Sequence, residues 1–221
     1  MKKLGIIGGA GPLASALFYE TLVRESYRLG TSCPEILLLN YPFTRGLTPE
    51  ETRDHQAIVR SELRYCLEAL EEGGAELGLL VCNTLHLELA QAKVERIRFL
   101  PIPTLVLDEI AAKGGKKILL LATQNTCLSS LYERKGIEIV LPSRQEQKKV
   151  DRAIDRVLEG KFFPEDAAAI SALIASFEGE IDGAILGCTD LPVLDHHCPL
   201  QASVPIYDSV KIPAKTILRY L

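Results

Sequence analysis

The sequence predicts an α/β protein of two similar Rossmann-like or flavodoxin-like lobes, related by a pseudo-twofold, each with a parallel sheet, and with the functional site in the cleft between them. Three observations carry this. Short apolar runs alternate with longer amphipathic stretches along the whole chain, the pattern of parallel strands joined by crossover helices. A strand and polar turn at 4–12 return at 117–126, and a strand closing in Cys82-Asn83-Thr84 is echoed by one closing in Cys188-Thr189, both at an offset of about 110 residues. A length of 221 residues suits two small domains of about 100 residues each. The expected division is 1–107 plus 208–221 for the first lobe and 108–207 for the second.

The elements follow in order. Leu4-Gly5-Ile6-Ile7 is a first buried strand and Gly8 to Gly11 a tight turn. Pro12 stands where the first turn of a helix tolerates a missing N–H. Leu13, Leu17, Phe18 and Leu22 continue at helical spacing towards a stop at Gly30. A second strand is read at 36–39 and a loop at 40–47. Thr48-Pro49-Glu50-Glu51 then makes a capping box for a helix running to about Glu72. Leu77 to Val81 is a third strand, followed by a helix of about 14 residues and a fourth strand at Thr104 to Leu107. The second lobe opens with a strand at Lys117 to Leu121 and a polar turn at Thr123 to Thr126. A helix over 127–135, a strand at 138–140 and helices over 144–159 and 164–178 come next. Gly183 to Leu186 is a strand leading into Gly187-Cys188. Pro205 to Tyr207 is the last strand and 208–221 the last helix.

Composition excludes several classes. The net charge is −4 and no block of Lys and Arg is long enough to suggest nucleic acid. No apolar stretch reaches the ~18 residues of a membrane helix, and Gly8-Gly9 interrupts the N-terminal apolar run too early for a signal peptide. The expectation is a cytoplasmic protein with no membrane partner. Six cysteines in a chain of this size, without a closely spaced framework, read as reduced thiols.

In open α/β sheets, ligands bind beyond the carboxyl ends of the strands. Four small polar turns stand there: Gly8–Gly11, Cys82–Thr84, Thr123–Thr126 and Gly187–Asp190. Facing lobes put Cys82 and Cys188 on opposite sides of one cleft. Inverting an amino acid at Cα needs a base on one face and an acid on the other, and two thiols serve either role. Both stand at strand-to-helix turns, where backbone N–H groups lower a thiol pKa from its usual value near 8.5. A lone cysteine ending a buried strand is usually a small core residue; the matched pair, with Thr beside each, argues otherwise. Cys66 on the apolar side of its helix reads as core, and Cys33 and Cys127 as structural. His196-His197-Cys198 has no second ligand cluster at zinc spacing, so no metal is expected. His86 either caps and packs or tunes the Cys82 thiolate. The glycine turn lacks the spacing of a dinucleotide site.

Leu4 to Ala14, Val81 to His86, Leu120 to Thr126 with Ser129 and Tyr132, Leu186 to Asp190, and Val204 to Asp208 together resemble the aspartate/glutamate racemases, in order and over nearly the whole chain. The resemblance implies a two-lobed, often dimeric enzyme that inverts an amino acid without pyridoxal phosphate or any other cofactor. It makes Cys82 and Cys188 the acid/base pair. Asn83, Thr84, Thr123 and Thr189 become polar groups around the substrate, and the turn through Gly9, Ala10 and Gly11 becomes one wall. Members often carry Met at Ala10, Ala at Leu85 and Glu at Asp190, the last swap keeping the charge at a substrate-binding position. Arg45 matches a side-chain clamp, and Arg156 and Lys161 are candidates for a second-lobe cation. Aspartate is expected ahead of glutamate. Alternatives are a maleate isomerase or malonate-type decarboxylase, a non-catalytic two-lobed binder, and a cysteine hydrolase built on His86.

Overall fold

The computed structural model describes residues 2–44, 52–89, 91 and 96–221. Arg45 and the capping box at 48–51 lie outside the described residues.

Two four-stranded parallel sheets carry the fold. The first holds β1 (Leu4–Gly8), β2 (Ile36–Asn40), β3 (Leu77–Leu80) and β4 (Arg98–Phe99); the second holds β5 (Lys117–Leu121), β6 (Glu138–Val140), β7 (Gly183–Leu186) and β8 (Ile206–Asp208). Their orders are β2-β1-β3-β4 and β6-β5-β7-β8, so the second sheet repeats the first strand for strand. β3 and β7 are therefore equivalent, and so are the cysteines that follow them. β1 is buried along its whole length, and Lys117 alone of β5 is only part-buried, which accounts for their continuous apolar runs.

The described helices are α1 (Pro12–Arg28), α2 (Thr52–Glu72), α3 (His86–Leu89), α4 (Ile102–Ala112), α5 (Gln124–Cys127), α6 (Arg144–Leu158), α7 (Pro164–Ala175), α8 (Asp190–His197) and α9 (Lys211–Ile217). α9 packs on α1 and α4, and α1 also meets α8, so these four helices join the sheets. Asp208 sets the start of α9, its Oδ1 accepting the Val210 and Lys211 N–H groups, each at 2.7 Å.

Four sequence expectations differ. Thr104 to Leu107 is not a strand but the middle of α4. Ile102, Leu105, Val106, Leu107 and Ile110 are all buried, and the three consecutive apolar residues Leu105 to Leu107 imitate a strand although Thr104, Asp108 and Ala111 mark an exposed side of the helix. The fourth strand is instead the two-residue β4, paired with β3. The long helix expected after Cys82 is, among the described residues, the single turn α3. The helix expected at 127–135 is the short α5, one turn earlier. Ser129 ends it, because its hydroxyl donates to the Thr126 carbonyl at 2.7 Å and accepts the Leu131 N–H at 3.3 Å. Finally, α8 (Asp190–His197) is the helix implied by the strand-to-helix turn at Cys188, to which the sequence assigns no range.

Candidate active site

All four turns meet where the lobes face each other. Gly9 has φ +106°, and a Cβ there would fall 2.0 Å from the Tyr41 carbonyl, so the turn after β1 demands glycine. Its N–H donates to Ser15 Oγ at 3.0 Å. Gly11 lies against the second lobe: a Cβ would come 2.5 Å from Asp190 Oδ1. Glycine thus lets the first-lobe turn approach the residue that opens α8.

The turn after β3 crosses to the second lobe at two successive residues. Asn83 is buried, its Oδ1 accepting from the Tyr132 hydroxyl at 2.8 Å and its Nδ2 donating to Ser209 Oγ at 3.4 Å. Thr84 Oγ1 pairs with Thr126 Oγ1 at 2.9 Å and Thr123 Oγ1 at 3.1 Å. Thr123 also caps α5, its hydroxyl accepting the Thr126 N–H. Thr189 is buried beside Cys188.

A cavity of about 410 Å³ opens on the Cys82 side. Ala10, Cys82, Thr84 and Asn125 line it together with apolar Phe43 and Leu85. His55 and Glu88 also border it, but the His55 ring donates to the Thr44 carbonyl and Glu88 pairs with Arg60. A larger hollow of about 660 Å³ beside β5 and β6 is lined by neither Cys82 nor Cys188.

The thiols do not behave as turn position alone suggests. Burial pushes Cys82 up to about 11; the Leu85 and Thr84 N–H groups pull it down only in part, and the charge of Asp190 raises it again. Cys188 is raised well above the ordinary thiol value, first by burial and then by Asp190, whose Oδ2 accepts from its Sγ at 3.6 Å. Here desolvation outweighs the N–H donors. An ionised Cys82 raises Cys188 further, so Cys188 senses the charge of Cys82 across the cleft. The pair therefore favours at most one thiolate.

His86 does not reach the Cys82 sulfur. Its Nδ1 pairs with the Cys82 carbonyl at 2.7 Å; a carbonyl only accepts, so Nδ1 carries the proton. Nε2 then accepts the Ile102 N–H at 3.3 Å. Both ring nitrogens are satisfied in the neutral form, and burial lowers the pKa to about 4. His86 ties the end of β3 to the start of α4.

A family model described as Asp/Glu/Hydantoin racemase matches residues 7–217. The chain belongs to that family. It is an amino-acid racemase. A glutamate racemase of Aquifex aeolicus is 27% identical over 97% of this chain and 82% of its own length. The structure of an aspartate racemase homologue from Pyrococcus horikoshii OT3 superposes with TM-score 0.79 at 29% identity, covering 100% of this chain and 99% of that one. An aspartate racemase of Picrophilus torridus shares the fold, with TM-score 0.79 at 23% identity over 100% and 94% of the two chains.

In the racemase, the expected second-lobe cations are engaged elsewhere. Arg156 holds the buried Asp166 carboxylate with contacts of 2.8 and 3.0 Å, and Lys161 pairs with Glu159 at 2.7 Å. Neither lines the cavity beside Cys82. Cys66 is fully buried in the core, as expected. His196 and His197 close α8, His197 stacking on Phe162. Among the described residues no cluster of His, Cys, Asp and Glu could hold a metal, and no helix is long and apolar enough to cross a membrane. Sequence reasoning missed Ser209, which stands beside Asp208 with no motif of its own. It met Tyr132 only as part of a resemblance.

Proposed function

We propose that the racemase works without pyridoxal phosphate, by two-base chemistry in which Cys82 and Cys188 exchange the roles of base and acid. A thiolate on one wall takes the Cα proton. The electron pair left at Cα is delocalised into the α-carboxylate. The thiol on the other wall delivers its proton to the opposite face, and product leaves with thiolate and thiol exchanged.

The observation that supports this best is the equivalence of the two cysteines: each follows the corresponding strand of two like-ordered sheets, and Cys188 senses the charge of Cys82. The raised thiols fit the scheme. A lone buried thiolate is costly, and the α-ammonium of the substrate supplies a countercharge in the same cleft. The hydroxyls of Thr84, Thr123 and Thr189 and the backbone of Gly9, Ala10 and Gly11 surround the α-carboxylate. Asn83 borders the site through its turn, and Asp190 borders the ammonium beside Cys188. We assign an acidic substrate, aspartate ahead of glutamate, with Arg45 as the bidentate clamp on the second carboxylate. The names of the Pyrococcus and Picrophilus relatives point the same way.

We place the division of the lobes along α4, within which the expected boundary near 108 falls, and after β8, with the last helix returning to the first lobe; the packing of α9 on α1 supports this. A cytoplasmic homodimer completes the reading.

The test is incubation of each enantiomer of aspartate, glutamate and alanine in deuterated water. Deuterium at Cα of the inverted product, lost in Cys82→Ser and in Cys188→Ser, supports the pair. Near-normal inversion in either variant removes the two-base scheme. Loss of activity to a chelator, or dependence on added pyridoxal phosphate, defeats cofactor independence. Arg45→Ala should lower kcat/KM for aspartate by ~2–3 kcal/mol, the scale of a charged hydrogen bond, and leave alanine nearly unchanged. An equal effect on both substrates removes Arg45 from the site.

A further inference from the structure

We infer that Asn83 and Tyr132 form a strut between the lobes that sets the separation of the two thiols, which makes both of them positioning residues. The inference rests on the two-base reading above.

The geometry separates Asn83 from its neighbour Thr84. Thr84 is part-buried, lines the cavity beside Cys82 and has its hydroxyl paired with those of Thr123 and Thr126 at the cavity wall. Asn83 is 2% exposed, and both ends of its amide are engaged inside the protein: Oδ1 with the Tyr132 hydroxyl at 2.8 Å, Nδ2 with Ser209 at 3.4 Å. A side chain held this way is a peg that anchors the turn from behind. It is also the residue immediately after Cys82, so any shift of the peg moves that sulfur.

Tyr132 supplies the other end. It follows α5 in the second lobe and is 2% exposed. Burial raises its phenol first and the charge of Cys188 second, so the ring stands in the field of the second sulfur. One side chain of the lobe that carries Cys188 thus bonds the neighbour of Cys82. The strut runs from the second lobe through Tyr132 and Asn83 to the backbone beside Cys82. Ser209 braces it from the loop before α9.

Mere packing and a strut differ in what they do to the reaction. If the opposite thiol is well placed, it protonates the carbanion before the base loses its captured proton to solvent. Unreacted substrate recovered from deuterated water then stays protiated. If the opposite thiol is displaced, the carbanion survives longer. The base exchanges its proton with solvent and returns deuterium to the same face, giving exchange without inversion.

The experiment uses the whole protein and Tyr132→Phe, which removes one oxygen and keeps the ring. Inversion and deuterium in recovered substrate are measured together from each enantiomer. The strut predicts that kcat falls by about ten- to a hundredfold, the scale of a small misplacement of reacting groups, while KM stays within about threefold. The ratio of exchange to inversion rises. Ser209→Ala cuts the longer contact and should shift the ratio in the same direction by less. It carries the test if Tyr132→Phe melts below the assay temperature. A ratio that stays at the wild-type value in the folded variant overturns the strut. So does a rise in KM alone, which assigns the pair to substrate binding. A wild type that shows neither exchange nor inversion defeats the two-base reading itself, and the strut with it.

Discussion

Replacing Asp190 by Asn removes the carboxylate that stands 3.6 Å from Cys188 and is buried with it. A unit charge at that distance, in an effective dielectric of about 20, acts on a thiolate with at most about 4–5 kcal/mol, less because the charge is shared by two oxygens and the site relaxes, so the Cys188 thiol should ionise at lower pH. Cys82 should fall less, since burial dominates its shift and Asp190 adds to it only as a lesser cause. The assay is ultraviolet thiolate absorbance against pH for Asp190→Asn, with Asp190→Asn/Cys188→Ser as the blank. Catalysis should follow: the alkaline rise of kcat moves to lower pH, and its plateau drops because the thiolate has become a weaker base. A Cys188 midpoint that does not move would mean that burial alone raises the thiol, and the electrostatic coupling argued above would be wrong.

Other outcomes follow from the same geometry. His86 is held neutral with a pKa near 4, against about 6.5 unfolded, so the unfolded chain takes up the proton first as pH falls. Stability should drop by about 3 kcal/mol between pH 6.5 and 4, and melts of His86→Gln should show a flatter slope in that window. Gly11→Ala places a methyl 2.5 Å from Asp190, so α8 or the first turn must give way; kcat should fall at least about tenfold with only a modest loss of Tm. Thr84→Val deletes both cross-lobe hydroxyl contacts at the cavity wall, and should raise KM more than it lowers Tm, read by steady-state kinetics and calorimetry.

The parallel sheets were legible in the sequence because the central strands β1 and β5, buried on both faces, write themselves as unbroken apolar runs. The internal echo was legible because a strand-ending cysteine followed by threonine occurs twice. α4 was not. Leu105, Val106 and Leu107 are three consecutive buried apolar residues that read as a strand, while the exposed side of the helix shows in the sequence only as Thr104, Asp108 and two small alanines; Pro103 stands in the first helical turn. α5 failed for a local reason, the Ser129 hydroxyl competing for the backbone. The threonines and cysteines of the site could be named from their turns. Tyr132 and Ser209 could not be given their contacts, because both act at long range in sequence on a single buried amide. A pair separated by 49 or 126 residues leaves no spacing to read.

The same distinction bears on the thiols. Their position at strand-to-helix turns argues for lowered pKa values, and that is a local argument about backbone donors. The fold adds what the backbone donors do not: Cys188 is buried, Cys82 is part-buried at the cavity wall, and the carboxylate of Asp190, two residues on in the same turn, is buried against Cys188. Desolvation then outweighs the donors and both thiols are raised. This suits the chemistry better than a pair of easily ionised thiols would. Two thiolates facing each other leave no acid, and two exposed thiols lose their protons to water between turnovers. On the two-base proposal, two raised thiols hold their protons until a cationic ammonium enters, and one then releases its proton. On that account the selectivity for one thiolate comes from the closed cleft. Loosening the cleft should therefore damage inversion before it damages substrate binding.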